Sequence, residues 1–308
     1  MLPFSIIHAP SVLGLRTRGV ERLPDALRTA GLHDALGGSF EGTVAAPSFD
    51  PRKDPNTPVL NALEIREYSQ RLAQEVGRLV RSGRVPIVLG GDCSILIGNM
   101  LALRRMGRYG LFFIDGHADF YLPENEPSGE AASMDLAFVT GRGPRMLADI
   151  DGQGPLVRDE DTVVFAFRDA VQAEREGSPD VRQTGMLALS LDDVRQFGVV
   201  TATNNALAWL RQKPIRSFWI HLDADVLDDA VMPAVDYRMP GGLSPEELAE
   251  VLGILIASQQ VAGIDVTIYN PILDPDGSAA RSLSNVLTKG LVGSMQGALP
   301  GFEGRGGE

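Results

Sequence analysis

Asp115, His117 and Asp119 stand at alternate positions directly after the apolar run Phe112-Phe113-Ile114. In an extended strand the side chains alternate between faces, so three such groups at a strand end point to one side and converge. Two carboxylates and an imidazole gathered in this way are either metal ligands or solvated loop groups. A second β-rich run, Phe218-Trp219-Ile220-His221-Leu222, also ends in acids one residue apart, Asp223 and Asp225, with Asp228 and Asp229 following. Carboxylates collected from two strand ends repel one another unless cations offset them, and divalent ions are a common remedy. The expectation is a polynuclear metal site at one edge of a sheet. A third stretch, Val85-Pro86-Ile87-Val88-Leu89, runs into Gly90-Gly91-Asp92-Cys93-Ser94 and adds a soft potential ligand.

These three stretches resemble the ureohydrolase superfamily, which comprises arginase, agmatinase, formiminoglutamase and related amidinohydrolases. The family pattern is Gly-Gly-Asp-His-Ser, then Asp-Ala-His-x-Asp, then Ser-x-Asp-x-Asp, each at a strand end. Here the matching residues are Gly90-Gly91-Asp92-Cys93-Ser94, Asp115-Gly116-His117-Ala118-Asp119 and His221-Leu222-Asp223-Ala224-Asp225. Gly241-Gly242-Leu243 and Asn270-Pro271 extend the match, which runs from about Ile6 to about Leu287. The resemblance implies an arginase-like, three-layer α/β/α fold and a hydrolase that cleaves a non-peptide C–N bond of a linear amidine or guanidino compound. It also implies two Mn²⁺ ions that hold a bridging hydroxide, and a homo-oligomer, trimeric or hexameric. A relative that keeps the fold but binds a metal or metabolite without turnover remains the alternative.

Carried over by position, the resemblance gives one metal Cys93, Asp115, Asp119 and Asp223, and the other Asp115, His117, Asp223 and Asp225. Cysteine departs from the family's histidine at position 93. A thiolate is softer and adds a negative charge, which favours Zn²⁺, Co²⁺ or Fe²⁺ relative to Mn²⁺. Cys93 is alternatively a small buried residue beside the site. His221 stands where the family has Ser, on the metal side by strand alternation, as a ligand, a partner of a ligand or a general acid.

The substrate positions depart further. Ile268 replaces the Glu that meets the guanidinium two residues before Asn-Pro, and Ala132 replaces a proton-shuttling His. Tyr121, Glu130 and Val171 stand at positions that hold the amino-acid end of arginine, while Ser128 and Glu174 match. An apolar wall at Ile268 weakens binding of a free guanidinium unless another acid, such as Asp236 or Glu130, takes over. The expectation is therefore a substrate other than free arginine, with Asp119 or His221 protonating the departing amine.

The surrounding sequence supplies elements to hold these groups. Short apolar runs at Phe4–His8, 86–89, 110–114, 162–167, 218–222 and 261–268 read as strands, separated by helical patterns. That alternation predicts a largely parallel sheet with helices on both faces and the site at the carboxyl ends of the strands. Residues 37–58, rich in Gly, Pro and Asp, read as an irregular connection. Residues 1–296 read as a single domain, and 297–308 as a loose Gly-rich tail. A net charge of −12 argues against nucleic acid or an anionic membrane as partner. A single cysteine forbids an intrachain disulfide, and no apolar run is long enough to span a membrane. A cytoplasmic protein acting on a small molecule is expected.

Overall fold

The computed structural model describes residues 2–53 and 57–293; the expected Gly-rich tail at 297–308 lies outside them. Among the described residues eight strands form one sheet: β1 (Phe4–His8), β2 (Ser39–Thr43), β3 (Val85–Leu89), β4 (Gly110–Ile114), β5 (Thr162–Phe167), β6 (Leu187–Ser190), β7 (Phe218–Asp223) and β8 (Val261–Thr267). Their order is β2-β1-β3-β8-β7-β4-β5-β6, and every pairing is parallel.

The six inner strands are buried at every position, which is why they read as unbroken apolar runs. Strand alternation divides their side chains between two cores. Ile87, Phe112, Ile114, Phe165, Ile220 and Ile264 pack on one face with the helices Leu23–Thr29, Val199–Arg211, Pro245–Ala257 and Ser278–Leu291. Val88, Leu111, Phe113, Val164 and Trp219 pack on the other with Ala62–Arg81, Ile95–Arg104 and Asp135–Val139. The result is a three-layer α/β/α arrangement.

Local signals set the helices. Ser244 caps Pro245–Ala257 in a reciprocal box with Glu247, and proline occupies the first turn, where its missing N–H costs nothing. Ala62–Arg81 buries Ile65, Tyr68, Leu72, Val76 and Leu79, a spacing of three and four that turns one stripe to the sheet.

Both edge strands differ from expectation. Residues 37–58 contain β2, whose residues are exposed or half-buried and carry no apolar alternation. The other edge, β6, is a four-residue, largely apolar run, half-buried and too short to stand out from the helical pattern that follows it. An edge strand needs only one partner and one covered face, so β2 keeps a loop-like composition. The helix Ser278–Leu291 was also unanticipated, and it seals one core with Leu283, Val286 and Leu287. Strand β8 stops at Thr267 because Ile268 takes φ 69°. No helix among the described residues is long and apolar enough to cross a membrane.

Candidate metal centre

Strands β3, β8, β7 and β4 are consecutive neighbours in the sheet, so the segments that leave their carboxyl ends meet above the same edge. Cys93 follows β3, Asp115 follows β4, and Asp223 closes β7. The Cys93 thiol donates to Asp223 Oδ2 at 3.0 Å and lies 3.2 Å from the hydroxyl of Thr267 at the end of β8.

The convergence of each triplet comes from turns rather than from strand alternation. Strand β4 ends at Ile114, and Asp115 Oδ1 then accepts the backbone N–H of His117 at 2.6 Å. Asp223 Oδ1 accepts the N–H of Asp225 at 2.7 Å, folding the chain into the 3₁₀ turn Ala224–Val226. Asp225 Oδ1 accepts the N–H of Gly116 at 3.0 Å, which locks the two turns together. Asp119 holds φ 44°, a conformation Asp tolerates better than most residues. Asp92 faces elsewhere: it accepts from Ser11 at 2.8 Å and from the N–H of Ser94 at 2.9 Å, fastening the glycine pair to the loop after β1.

Among the described residues, two groups of potential ligand atoms result, Cys93, Asp115 and His221, and Asp115, His117 and Asp225, each within 4.8 Å of one another. Asp115 belongs to both. His117 Nδ1 lies 2.8 Å from Asp225 Oδ2. Burial pushes the Asp115 carboxyl up to about 6, with Asp225 adding to it. Burial likewise raises Asp119 and Asp223, reinforced by neighbouring carboxylates. Asp225 goes the other way because, against burial, His117 holds it ionised. Burial and Asp223 together raise the Cys93 thiol. A nest of acids this deep calls for added positive charge. Asp115 Oδ2 and His221 Nε2, both buried and without a hydrogen-bond partner, face each other at 3.8 Å. Orphaned polar atoms flanked by a thiol and carboxylates fit divalent cations.

Above the nest opens a cavity of about 650 Å³. Cys93, His117, Asp119 and Asp225 lie on its wall, together with the anticipated Ser128, Glu130, Asp236 and Ile268. Ala132 and Tyr121 line it as well. Glu174 does not: it is exposed and borders a separate recess with Asp169 and Arg182, while Gln172 and Glu176 reach the main cavity. Val171 is 61% exposed and outside the lining. The helix Ala170–Arg175 turns these residues away, an orientation that no ungapped alignment encodes.

His221 also departs from the expected catalytic position. It is fully buried, absent from the cavity wall, and stacked on Phe113 with ring centroids 4.5 Å apart. Its Nδ1 lies 2.6 Å from Asp265 Oδ2, and Asp265 also accepts from the Trp219 indole. Burial opposes protonation of His221, but Asp265 outweighs it and holds the imidazole above its ordinary value. Glu130, expected to meet substrate, is 2% exposed and already accepts from the Arg16 N–H at 2.5 Å, from Ser128 and from the Tyr237 hydroxyl. Asp236, half-buried beside it, contacts Asn270 at 3.3 Å.

Sequence reading missed Asp265, Thr267 and Asp135, the last a fully buried acid whose two carboxylate oxygens have no hydrogen-bond partner among the described residues. Asp265 was signalled by an acid in the middle of a buried apolar strand, and its partner became identifiable only through the β7–β8 register, where His221 pairs with Asp265.

The Arginase family model matches residues 3–292. The chain is 30% identical to the arginase of Staphylococcus aureus strain MRSA252 over 292 residues, covering 92% of this chain and 95% of the relative. It is 30% identical over 285 residues to the arginase of Brevibacillus brevis, covering 90% and 93%. The arginase of Bacillus caldovelox superposes with a TM-score of 0.87 at 28% identity, covering 95% of this chain and 99% of that one. Enzymes of this family are binuclear metal hydrolases. A match along nearly the whole folded length, in sequence and in backbone alike, makes this chain a member of the arginase family.

Proposed function

We propose that the protein is a binuclear metal hydrolase that cleaves the C–N bond of a linear amidine or substituted guanidine in preference to free arginine. The observation that carries this reading is the lining of the cavity next to the ligand cluster. Acids ring it, with Glu126, Glu130, Glu176 and Asp236 beyond the ligand set, which suits an extended cationic substrate. The wall position that carries a guanidinium-binding Glu in the family pattern is Ile268, only 5% exposed. The named activity of the relatives favours arginine, whereas this apolar wall favours a guanidine whose terminal nitrogen is substituted or replaced.

Cys93, Asp115, His117, Asp119, Asp223 and Asp225 would hold the metal pair, which when bound supplies Lewis acidity and an activated water. Mn²⁺ is the family precedent, and the thiol at position 93 extends the range to Zn²⁺, Co²⁺ or Fe²⁺. Asp236 is the acid best available to a substrate cation, since Glu130 is occupied by Arg16, Ser128 and Tyr237. Asp119 lines the cavity, so it is the group positioned to pass a proton to the departing amine. Ala132 offers none, and His221 is closed off from the cavity.

The test is elemental analysis of purified protein, followed by urea and ammonia assays over a panel of guanidino and amidino compounds that includes arginine. Stoichiometric metal with turnover of a substituted guanidine or amidine, and arginine at least tenfold poorer in kcat/KM, is the expected result. Efficient arginine hydrolysis would overturn the substrate assignment. Tight metabolite binding with no turnover by the metal-loaded protein would favour a binding protein.

A further inference from the structure

We propose that His221 is itself a metal ligand, completing with Cys93 and Asp115 a sulfur, nitrogen and oxygen site for a borderline-soft divalent cation. The inference rests on the metal-centre reading above and adds a residue to it. Three observations support it. Nε2 of His221 is fully buried, has no hydrogen-bond partner and faces Asp115 Oδ2, another buried atom without one, at 3.8 Å. Two donors on one ion, each at about 2.1 Å, stand no more than about 4.2 Å apart, so this separation already allows a shared cation. Cys93 Sγ falls within 4.8 Å of both groups, and a thiolate at about 2.3 Å from the ion needs the cluster to contract by only a few tenths of an ångström.

The other side of the ring is built for the same purpose. Nδ1 lies 2.6 Å from Asp265 Oδ2, and the Trp219 indole holds that carboxylate from β7 itself. A carboxylate on Nδ1 keeps the proton there, leaving the Nε2 lone pair for a metal and fixing the ring's orientation. Phe113, stacked at 4.5 Å, fixes its plane. Nitrogen is thereby returned to a cluster whose cysteine stands where the family pattern has histidine, but it comes from β7 instead of the loop after β3. Imidazole and thiolate together suit Zn²⁺ or Co²⁺ better than Mn²⁺.

X-ray absorption of the zinc-loaded wild-type protein tests this without relying on any variant or on activity. With His221 as ligand, two imidazoles serve two ions, so the spectrum fits about one imidazole per zinc plus a sulfur shell near 2.3 Å. With His117 alone, the imidazole count is half that. A second arm uses His221→Asn: the count falls by half while the sulfur shell persists, and Cys93→Ser does the converse. Half an imidazole per zinc in wild type, or a spectrum unchanged by His221→Asn, would overturn the assignment while leaving the binuclear reading intact. Failure to bind Mn²⁺, Zn²⁺ or Co²⁺ at stoichiometric level would instead remove the metal centre on which it rests.

Discussion

Cys93 Sγ and Asp223 Oδ2 lie 3.0 Å apart across the end of β8, although 130 residues separate them in the chain. Their contact joins the loop after β3 to the end of β7 and brings the thiol into the acid nest. Replacing Cys93 with Ala should reduce bound metal from about two ions per chain toward one, and Cys93→His should shift selectivity toward Mn²⁺. Elemental analysis after equilibration with an equimolar Mn²⁺ and Zn²⁺ mixture reads both effects. Unchanged stoichiometry in the Ala variant would remove Cys93 from the ligand set.

Ile268 presents an apolar wall where the family pattern has a guanidinium-binding carboxylate. Its backbone is held at φ 69° by an N–H bond to the Gly91 carbonyl at 2.8 Å. Installing Ile268→Glu should raise kcat/KM for arginine by about 10- to 100-fold, the range of one charge-assisted hydrogen bond of about 1.5–3 kcal/mol. Steady-state urea release, with circular dichroism to verify folding, decides the point. No gain in a folded, metal-loaded variant would detach this wall from specificity.

A Cβ built on Gly91 would overlap the carbonyl oxygen of Ser11, and neither backbone has a flexible end that could give way. Gly91→Ala should therefore destabilise the protein by about 3 kcal/mol or more and displace the Cys93 loop. Thermal unfolding is the measurement; a melting temperature equal to wild type would show the loop to be more pliant than its packing implies.

His8, 4% exposed, lies with Nε2 3.1 Å from Nε2 of His33, an arrangement that requires at least one neutral ring. Burial, and then His33, lower its pKa from 6.5 to about 4. The folded value lies below the unfolded one, so this contribution is complete above pH 6.5 and is lost as pH falls toward 4. Between pH 7.5 and pH 5, wild type should lose about 1 kcal/mol more than His8→Gln does, after allowance for partial solvent access. Denaturant titrations at the two pH values would expose the idea as wrong if both proteins responded alike.

Much was legible in the chain itself. Inner strands buried on both faces must be continuously apolar, so β1, β3, β4, β5, β7 and β8 announced themselves, and acids placed directly after β4 and at the end of β7 marked the site. The capped helix Pro245–Ala257 was equally plain, because capping is a local interaction. These features depend on neighbours within a few residues.

Only the tertiary structure decided which strand ends adjoin, because the order β3-β8-β7-β4 is set by long-range pairing. That order placed Asp265 against His221 and turned an expected general acid into a buried group with its free nitrogen aimed at Asp115. It also engaged Glu130 with Arg16 and Tyr237, from loops 114 and 107 residues away, and directed Glu174 to another recess. Residue type determines what chemistry a side chain can do. Which partners use up its hydrogen bonds, and which atoms remain free for metal or substrate, depends on residues far away in the chain that only packing brings near.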